Sequence, residues 1–167
     1  RIRIQGITFL CFLLASVISQ AQEWQVGRSS SGAVISAMGY QVDEQFRPTV
    51  VLIGGLDGGG ESSTKVLSEY ERYLERAKAE QSFNLIVIPD ANPDAEQLQF
   101  PPVGRGYSDN PVSFSLWRWL GTHGPDLVLI ESNHDYELAD ALSNRIVAGV
   151  GYVPALHLYD EPEELDG

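Results

Sequence analysis

Acidic side chains and one histidine follow three separated apolar runs of this sequence. The runs cover residues 49–53, 85–88 and 126–130, and the polar residues that follow them are Asp57, Glu61, Asp90, Asp94, Glu131 and His134. Because sites in open α/β sheets lie beyond the carboxyl ends of the strands, these side chains can converge on one rim. Two carboxylates and an imidazole predict a site for zinc or another divalent metal. In the alternative interpretation the acids cap helices and turns, and His134 is a surface side chain.

The three runs and the segments between them predict the strands and helices that hold these polar side chains at the rim. Each run is apolar throughout, which indicates a strand buried on both faces. Residues 62–80 predict a helix whose apolar stripe consists of Val66, Tyr70, Tyr73, Leu74 and Ala77. A second predicted helix begins at Pro111 and carries Leu116, Trp117 and Leu120. A third lies between residues 136 and 147 and carries Leu138, Leu142 and Ile146.

Strands that alternate with helices predict an α/β fold, a three-layer sandwich around a mostly parallel, mixed sheet. We expect residues 50–53, 85–88 and 127–130 to form parallel strands in a sheet of three or four strands. A polar, hairpin-like segment at residues 23–45 precedes them, and the acidic tail at 160–167 is expected to fray. Residues 22–167 have the length of a single domain.

The first 21 residues have the pattern of an export signal. Residues 7–18 are apolar or small, they follow Arg1 and Arg3, and they are too few to span a bilayer comfortably. Ser19, Gln20 and Ala21 form a small-x-small cleavage site. We therefore expect cleavage after Ala21 and a periplasmic or extracellular protein, with no membrane attachment after cleavage. The alternative is a buried N-terminal helix.

Composition and missing motifs exclude several other functions. The net charge of −12 opposes binding to nucleic acid or to anionic membranes. Cys11 is the single cysteine and lies in the predicted signal, so thiol catalysis and cysteine zinc sites are not expected of the domain. The serine-hydrolase pattern G-x-S-x-G is absent. The glycine-rich residues 54–60 lack G-K-[ST] and carry acids, so they do not form a phosphate-binding loop.

Five segments, in order, resemble one family of hydrolases. They read VGRSSSGAVI at 26–35, VVLIGGLDG at 50–58, IPDANPD at 88–94, FPPVGRGY at 100–107 and PDLVLI at 125–130. In the same order, they are similar to five features of that family. These are its opening hairpin, the strand and turn of its first zinc ligand, its P-x-x-N-P-D segment, its Asn-Arg region and the strand before its last zinc ligand. The family is that of the M14 zinc carboxypeptidases, with the related succinylglutamate desuccinylase and aspartoacylase group.

The resemblance implies the fold, the cofactor and the roles of individual residues. The fold is the phosphorylase/hydrolase-like sandwich, and the cofactor is zinc. Asp57 stands at the position of the first zinc histidine, and Glu61 is one place beyond the position of the family's glutamate. Either Glu131 or His134 takes the last ligand position. Asn92 and Arg105 fall on the substrate-binding rim, where Arg105 would neutralise a substrate carboxylate.

Two functions follow from the resemblance. In the first, the chain is the N-terminal part of an exported metallohydrolase that cleaves an amide bond of a peptide or an N-acyl amino acid. Its general base would then lie beyond Gly167. In the second, the fold has lost its zinc and serves as a catalytically inactive binding module.

Overall fold

The computed structural model describes residues 21–42, 47–106, 108–134 and 137–158. Nearly all of the predicted export signal and the whole acidic tail lie outside these residues. Within them the chain forms six strands: β1 (Gln22–Arg28), β2 (Val34–Tyr40), β3 (Thr49–Ile53), β4 (Asn84–Ile88), β5 (Leu127–Glu131) and β6 (Ala155–Leu158). It also forms the helices α1 (Glu61–Glu75), α2 (Pro111–His123) and α3 (Leu138–Asn144), and a short 3₁₀ helix at Lys78–Glu80.

The six strands form one mixed sheet in the order β1-β2-β4-β3-β5-β6. Strand β3 is parallel to both β4 and β5, and β6 is parallel to β5. The hairpin of β1 and β2 is antiparallel and joins the sheet through β4. The predicted parallel arrangement of the three apolar runs is therefore confirmed, as is the mixed character of the sheet.

The sheet is larger than the three or four strands that we expected. The expectation was wrong at both ends of the sheet. Strands β1 and β2 are only half-buried and contain polar residues, so their sequence does not have the apolar pattern of the central strands. Strand β6 has only four residues and is interrupted by His157, so it does not show a continuous apolar run.

Helices cover both faces of the sheet and complete three layers. Alternate residues of the central strands point to opposite faces. Ile53, Ile88 and Ile130 pack with α2 and α3 in the larger core, whereas Leu52 and Val87 pack with α1 in the smaller one. This arrangement is the α/β sandwich that the sequence predicts.

Helix α1 ends five residues before its predicted end. Arg76 adopts an extended conformation, and the buried Gln81 donates from Nε2 to the carbonyl oxygens of Tyr73 and Arg76. These bonds satisfy two carbonyl groups at the end of the helix, where the helix itself offers no donors. Leu74 and Ala77 consequently lie on the surface and not in the predicted stripe.

Helix α2 confirms its predicted start, and α3 lies within the predicted range but ends before Ile146. Helix α2 begins at Pro111, and the Asn110 side chain accepts a hydrogen bond from the Ser113 N–H at 3.1 Å. The helix ends at His123, and Gly124 caps it in a left-handed conformation, with its N–H donating to Leu120 O. Ile146 was expected on the buried stripe of α3, but it follows the end of that helix and is exposed. None of the helices in the described parts of the chain is long and apolar enough to cross a membrane.

Candidate functional site

A glycine-rich turn after β3 carries Asp57 to the rim of the sheet. The Gly54 N–H donates to Ile88 O, so the turn begins in register with the end of β4. Gly55 has a φ of +66°, and a Cβ there would lie 2.7 Å from the Asp90 Cα. Only glycine combines a favourable positive φ with the absence of a Cβ. Gly55 therefore lets the turn pass directly over the segment after β4.

Asp57 joins this turn to the segment that follows β5. Its Oδ2 accepts hydrogen bonds from Ser132 Oγ at 3.1 Å and from the Asn133 N–H at 3.2 Å. Its Oδ1 lies 3.0 Å from His134 Nδ1. An ionised carboxylate only accepts hydrogen bonds, so in this contact the His134 Nδ1–H is the donor. We call Asp57, Ser132 and His134 the Asp57 cluster.

The cluster combines a fixed carboxylate with an accessible imidazole. The Asp57 side chain is 20% exposed and that of His134 is 74% exposed, whereas Ser132 is buried. A hydrogen bond from His157 Nε2 to Ser132 O, at 2.9 Å, ties the backbone of the cluster to β6 if that nitrogen carries the proton. An imidazole held by a carboxylate at one nitrogen can exchange protons through the other.

Glu61 and Glu131 do not join this cluster in a ligand set. The Lys65 Nζ lies 3.7 Å from Glu61 Oε1 and 3.3 Å from Glu131 Oε1, so its ammonium group connects the two carboxylates. Glu61 is at the exposed start of α1, while the Glu131 side chain is only 16% exposed. Lys65 is four residues from Glu61 on α1, which places the two side chains on one helix face.

The predicted zinc ligands are therefore divided between two groups. The Asp57 cluster supplies one carboxylate and one imidazole, and the other two carboxylates are paired with Lys65. Over the described ranges, no three His, Cys, Asp or Glu side chains come together as a metal-binding group. A zinc site needs three protein ligands around one point, and a neighbouring ammonium group disfavours a second cation. As placed, these residues do not fit a zinc ion.

Asn92 holds the turn in place from the side of β4. It is buried, and its Nδ2 donates to Leu56 O at 2.8 Å and to Glu96 O at 2.9 Å. Its Oδ1 accepts from the Glu96 N–H. All of these bonds go to the backbone, so Asn92 positions the loop that carries Asp57.

Arg105 lies on an exposed loop. Its backbone N–H donates to Asp109 Oδ2 at 2.8 Å. Among the described residues, no hydrogen bond or ion pair connects its guanidinium group with the Asp57 cluster. The structure therefore places Asn92 beside the predicted site but does not join Arg105 to it.

Asp90 and Asp94 differ in their electrostatic environment. Burial, and then the nearby charge of Asp94, raises the pKa of the Asp90 carboxyl above its ordinary value. Hydrogen bonds from Ser29 and Ser31 lower the pKa of Asp94 below its ordinary value. Asp94 Oδ2 accepts from the Ser31 N–H at 2.9 Å, so this residue fixes the turn between β1 and β2. That role matches the alternative interpretation of the acids as groups that stabilise turns.

The sequence reasoning missed Ser132 and Lys65. Ser132 follows Glu131 directly, but a buried serine carries no pattern of its own in the sequence. Lys65 has a weak signal, because it lies four residues after Glu61 and can form an ion pair with it on a helix. Its contact with Glu131 depends on how α1 packs beside β5.

Comparison with solved structures identifies the fold. A metallo-carboxypeptidase from Burkholderia cenocepacia matches with a TM-score of 0.56 and 15% sequence identity, over 66% of this chain and 36% of that one. The thrombin activatable fibrinolysis inhibitor matches with a TM-score of 0.53 and 10% identity, over 75% and 48%. The fold is carboxypeptidase-like. The carboxypeptidase A of Helicoverpa armigera has a TM-score of 0.50 and 14% identity, over 67% and 40%.

The carboxypeptidase-like fold is shared over only part of those proteins. The chain spans between about a third and a half of the length of the three structures. No family model matches the sequence, and no curated protein matches it. Similarity at this level of identity establishes the architecture, while activity depends on the residues at the rim.

Proposed function

We propose that this chain is the N-terminal part of an M14-like hydrolase that cleaves an amide bond in a peptide or an N-acyl amino acid. The observation that supports this proposal is the Asp57–His134 pair at the carboxyl ends of β3 and β5. Ligands of open parallel sheets bind at such ends. Export by residues 1–21 belongs to the same proposal, and N-terminal sequencing of secreted protein that began at Gln22 would support it.

In the proposed reaction the general base is His134 and not, as the resemblance implied, a residue beyond Gly167. Asp57 holds the Nδ1 proton and orients the ring, and Ser132 and Asn133 hold Asp57. The Nε2 atom takes a proton from water as the water oxygen attacks the amide carbonyl carbon. The same proton then passes to the leaving nitrogen as the C–N bond breaks. Such proton transfer contributes about 10²–10⁴ in rate.

Two further assignments belong to this proposal. Arg105 is an exposed cation in a chain with a net charge of −12, and it would pair with a carboxylate of the substrate. Zinc remains a prediction from the resemblance, because the ligands that it needs are divided in two. No step of the proposed reaction is therefore assigned to zinc.

The test of the hydrolase is release of amino acid from blocked dipeptides and N-acyl amino acids. We expect Asp57→Asn and His134→Gln each to lower kcat/KM by about 10²-fold, the contribution of a general base. Asp140→Asn is the matched control, since this exposed carboxylate lies on α3, and it should change the rate less than about twofold. Activity that is absent from the wild type, or equal in all four proteins, contradicts the proposal.

A binding module without zinc is the second candidate function. The ammonium group of Lys65 supports it, because Lys65 already compensates the two carboxylates that zinc would need. Calorimetric titration with Zn²⁺ of the wild type and of an Asp57→Ala and Glu61→Ala double variant tests whether zinc binding has been lost, and the dipeptide assay separates a binding module from the hydrolase. Equal and negligible heats together with no hydrolysis favour the binding module, whereas zinc binding that only the wild type shows favours a metal site.

A further inference from the structure

Exposed apolar side chains are concentrated at the end of the sheet that β6 forms. Ile146, Tyr152 and Leu156 are 72%, 63% and 58% exposed, and they are the most exposed large apolar side chains in the described ranges. Single exposed apolar residues are ordinary on a protein surface, but several together mark a site of interaction. We call these three residues, with the exposed Pro154, the β6 surface.

Ile146 and Tyr152 lie opposite each other across a tight turn. Val147 forms an antiparallel bridge with Gly151, and the Val147 side chain is buried. Ile146 and Tyr152 are the next pair of this ladder, so their side chains point to the other side, which is exposed. The two residues therefore form one apolar pair at the surface.

The β6 surface continues along the strand, on the face of the sheet that carries α1. Exposure alternates between Tyr152 and Leu156, because Val153 is buried and Pro154 is exposed, and this places the exposed residues on one face. Leu156 pairs with Leu129 of β5, and Leu129 packs against the smaller core under α1. Helix α1 packs over β4 and β5 and leaves Leu156 exposed.

A partner has to pack on this face, because the edge of β6 is already engaged where the strand begins. The Ala155 N–H donates to Ser143 Oγ at 3.1 Å, and the same hydroxyl donates to Ala155 O at 3.4 Å. One side chain of α3 thus bonds to both backbone groups of the first residue of β6. Such cover hinders another strand from pairing along the edge.

The β6 surface carries no charge, although the molecule is strongly acidic. Residues 146–158 include no Asp, Glu, Lys or Arg, while the whole chain has 11 basic and 23 acidic residues. In a twofold dimer the same surface meets itself, so a charge near the axis would face its own like charge. Like charges that face each other oppose association. An uncharged surface is therefore where two copies of this acidic molecule can meet.

The exposed area suits a weak dimer. The side chains of the β6 surface together expose on the order of 500 Å², toward the top of the range for the largest apolar patch of a monomer. Two copies would bury about 1,000 Å², less than the total of about 1,600 Å² of a standard interface. We therefore expect a dissociation constant in the micromolar range, where interfaces of small area belong.

We propose that the β6 surface is the contact surface of a reversible, twofold symmetric dimer of this chain. Tyr152 and Leu156 of each copy pack against the same surface of the other copy, and burial of apolar area supplies the affinity. Tyrosine suits this position, because its ring is apolar and its hydroxyl group can stay in water. This inference does not depend on hydrolysis by the Asp57 cluster.

The test is analytical ultracentrifugation of the full chain from about 1 to about 200 µM, a range that brackets micromolar affinity. We expect a reversible equilibrium of monomer and dimer. Added salt should tighten the dimer, because it screens the repulsion between two molecules that each carry a charge of −12. A monomer throughout the range, or a dimer that salt weakens, overturns the proposal. At about 1 µM the dimer dissociates, so unfolding measured there reports the monomer, in which Leu156 is exposed.

Substitutions locate the contact surface. Leu156→Lys should weaken the dimer at least about tenfold, because it places two ammonium groups in an apolar contact. Val34→Lys is the matched control, since Val34 is 48% exposed on β2, toward the other end of the sheet, and the charge change is the same. It should have less than about a twofold effect.

Circular dichroism verifies that both variants are folded, and Tyr152→Lys replaces Leu156→Lys if that variant does not fold. Equal effects of the β6 variant and the Val34 variant overturn the assignment. Association would then come from another surface, such as the apolar residues 7–18.

Discussion

The folded structure disfavours the ionised form of the Asp90 carboxyl group. It follows β4 beside Gly55, and its buried Oδ1 has no hydrogen-bond donor in the described chain. Burial and the charge of Asp94 both raise its pKa above 3.8. The charged form is therefore less favourable in the folded protein than in the unfolded chain, so Asp90 costs stability at neutral pH.

We expect Asp90→Asn to raise the melting temperature at pH 7 by a few degrees, as a gain of about 1 kcal/mol would. The gain should shrink as pH falls through the raised pKa, and it should disappear below about pH 3.8, where the carboxyl is protonated in both states. Thermal unfolding at a series of pH values measures this difference. A gain that stays constant down to pH 3 would show that the charge of Asp90 is not its source.

Asp94 is the natural comparison, because its pKa is shifted in the opposite direction. Hydrogen bonds from Ser29 and Ser31 favour its ionised form in the folded protein. Its contribution to stability is therefore present above pH 3.8 and lost as pH falls through the lowered pKa. Asp94→Asn should lower the melting temperature at pH 7, and the two variants should converge on wild type in acid. An Asp94→Asn protein as stable as wild type at pH 7 would contradict this assignment.

At the scale of elements, the start of α2 depends on one side chain. Asn110 accepts from the Ser113 N–H and donates from Nδ2 to Gln97 O at 3.0 Å. It thus caps the helix and also ties the preceding loop to it. Helix α2 in turn supplies Val112, Leu116 and Leu120 to the larger core.

We expect Asn110→Ala to lower the free energy of unfolding by about 1 kcal/mol, the usual cost of losing an N-cap. Asn110→Asp keeps an acceptor at this position and should cost only a few tenths of a kcal/mol. Urea denaturation of the three proteins measures both values. If the aspartate variant loses as much as the alanine variant, the bond to Gln97 and not the cap is the important contact.

At the scale of the whole molecule, the two faces of the sheet are unequally covered. Helices α2 and α3 cover the larger core, in which Leu116 is completely buried. On the other face α1 packs over the smaller core, and Leu156 of β6 is 58% exposed. The cost of truncating a leucine depends on its burial, and Leu116 and Leu156 are at opposite extremes of burial.

Leu116→Ala should lower the free energy of unfolding by about 2–5 kcal/mol, since it removes buried surface and leaves a cavity. Leu156→Ala is the matched control and should change the free energy by less than about 0.5 kcal/mol. Denaturation curves of both variants test this. A loss at Leu156 as large as that at Leu116 would indicate that β6 is covered in the protein in solution.

The sequence by itself determined the centre of the fold. The apolar runs of β3, β4 and β5 are local patterns, and strands buried on both faces need no knowledge of distant residues to be identified. The start of α2 was equally local, because Pro111 favours the first turn of a helix. The fold class and the parallel arrangement followed from these elements.

Only the tertiary structure decided the edges of the sheet and the contacts at the rim. Asp57 and His134 are 77 positions apart, and their contact depends on the pairing of β3 with β5. Lys65 meets Glu131 only because α1 packs over that pair of strands. Local patterns record which face of an element is buried, but they do not record which element lies opposite. The carboxylates that the sequence assigned to one metal site were for that reason divided between an imidazole and an ammonium group.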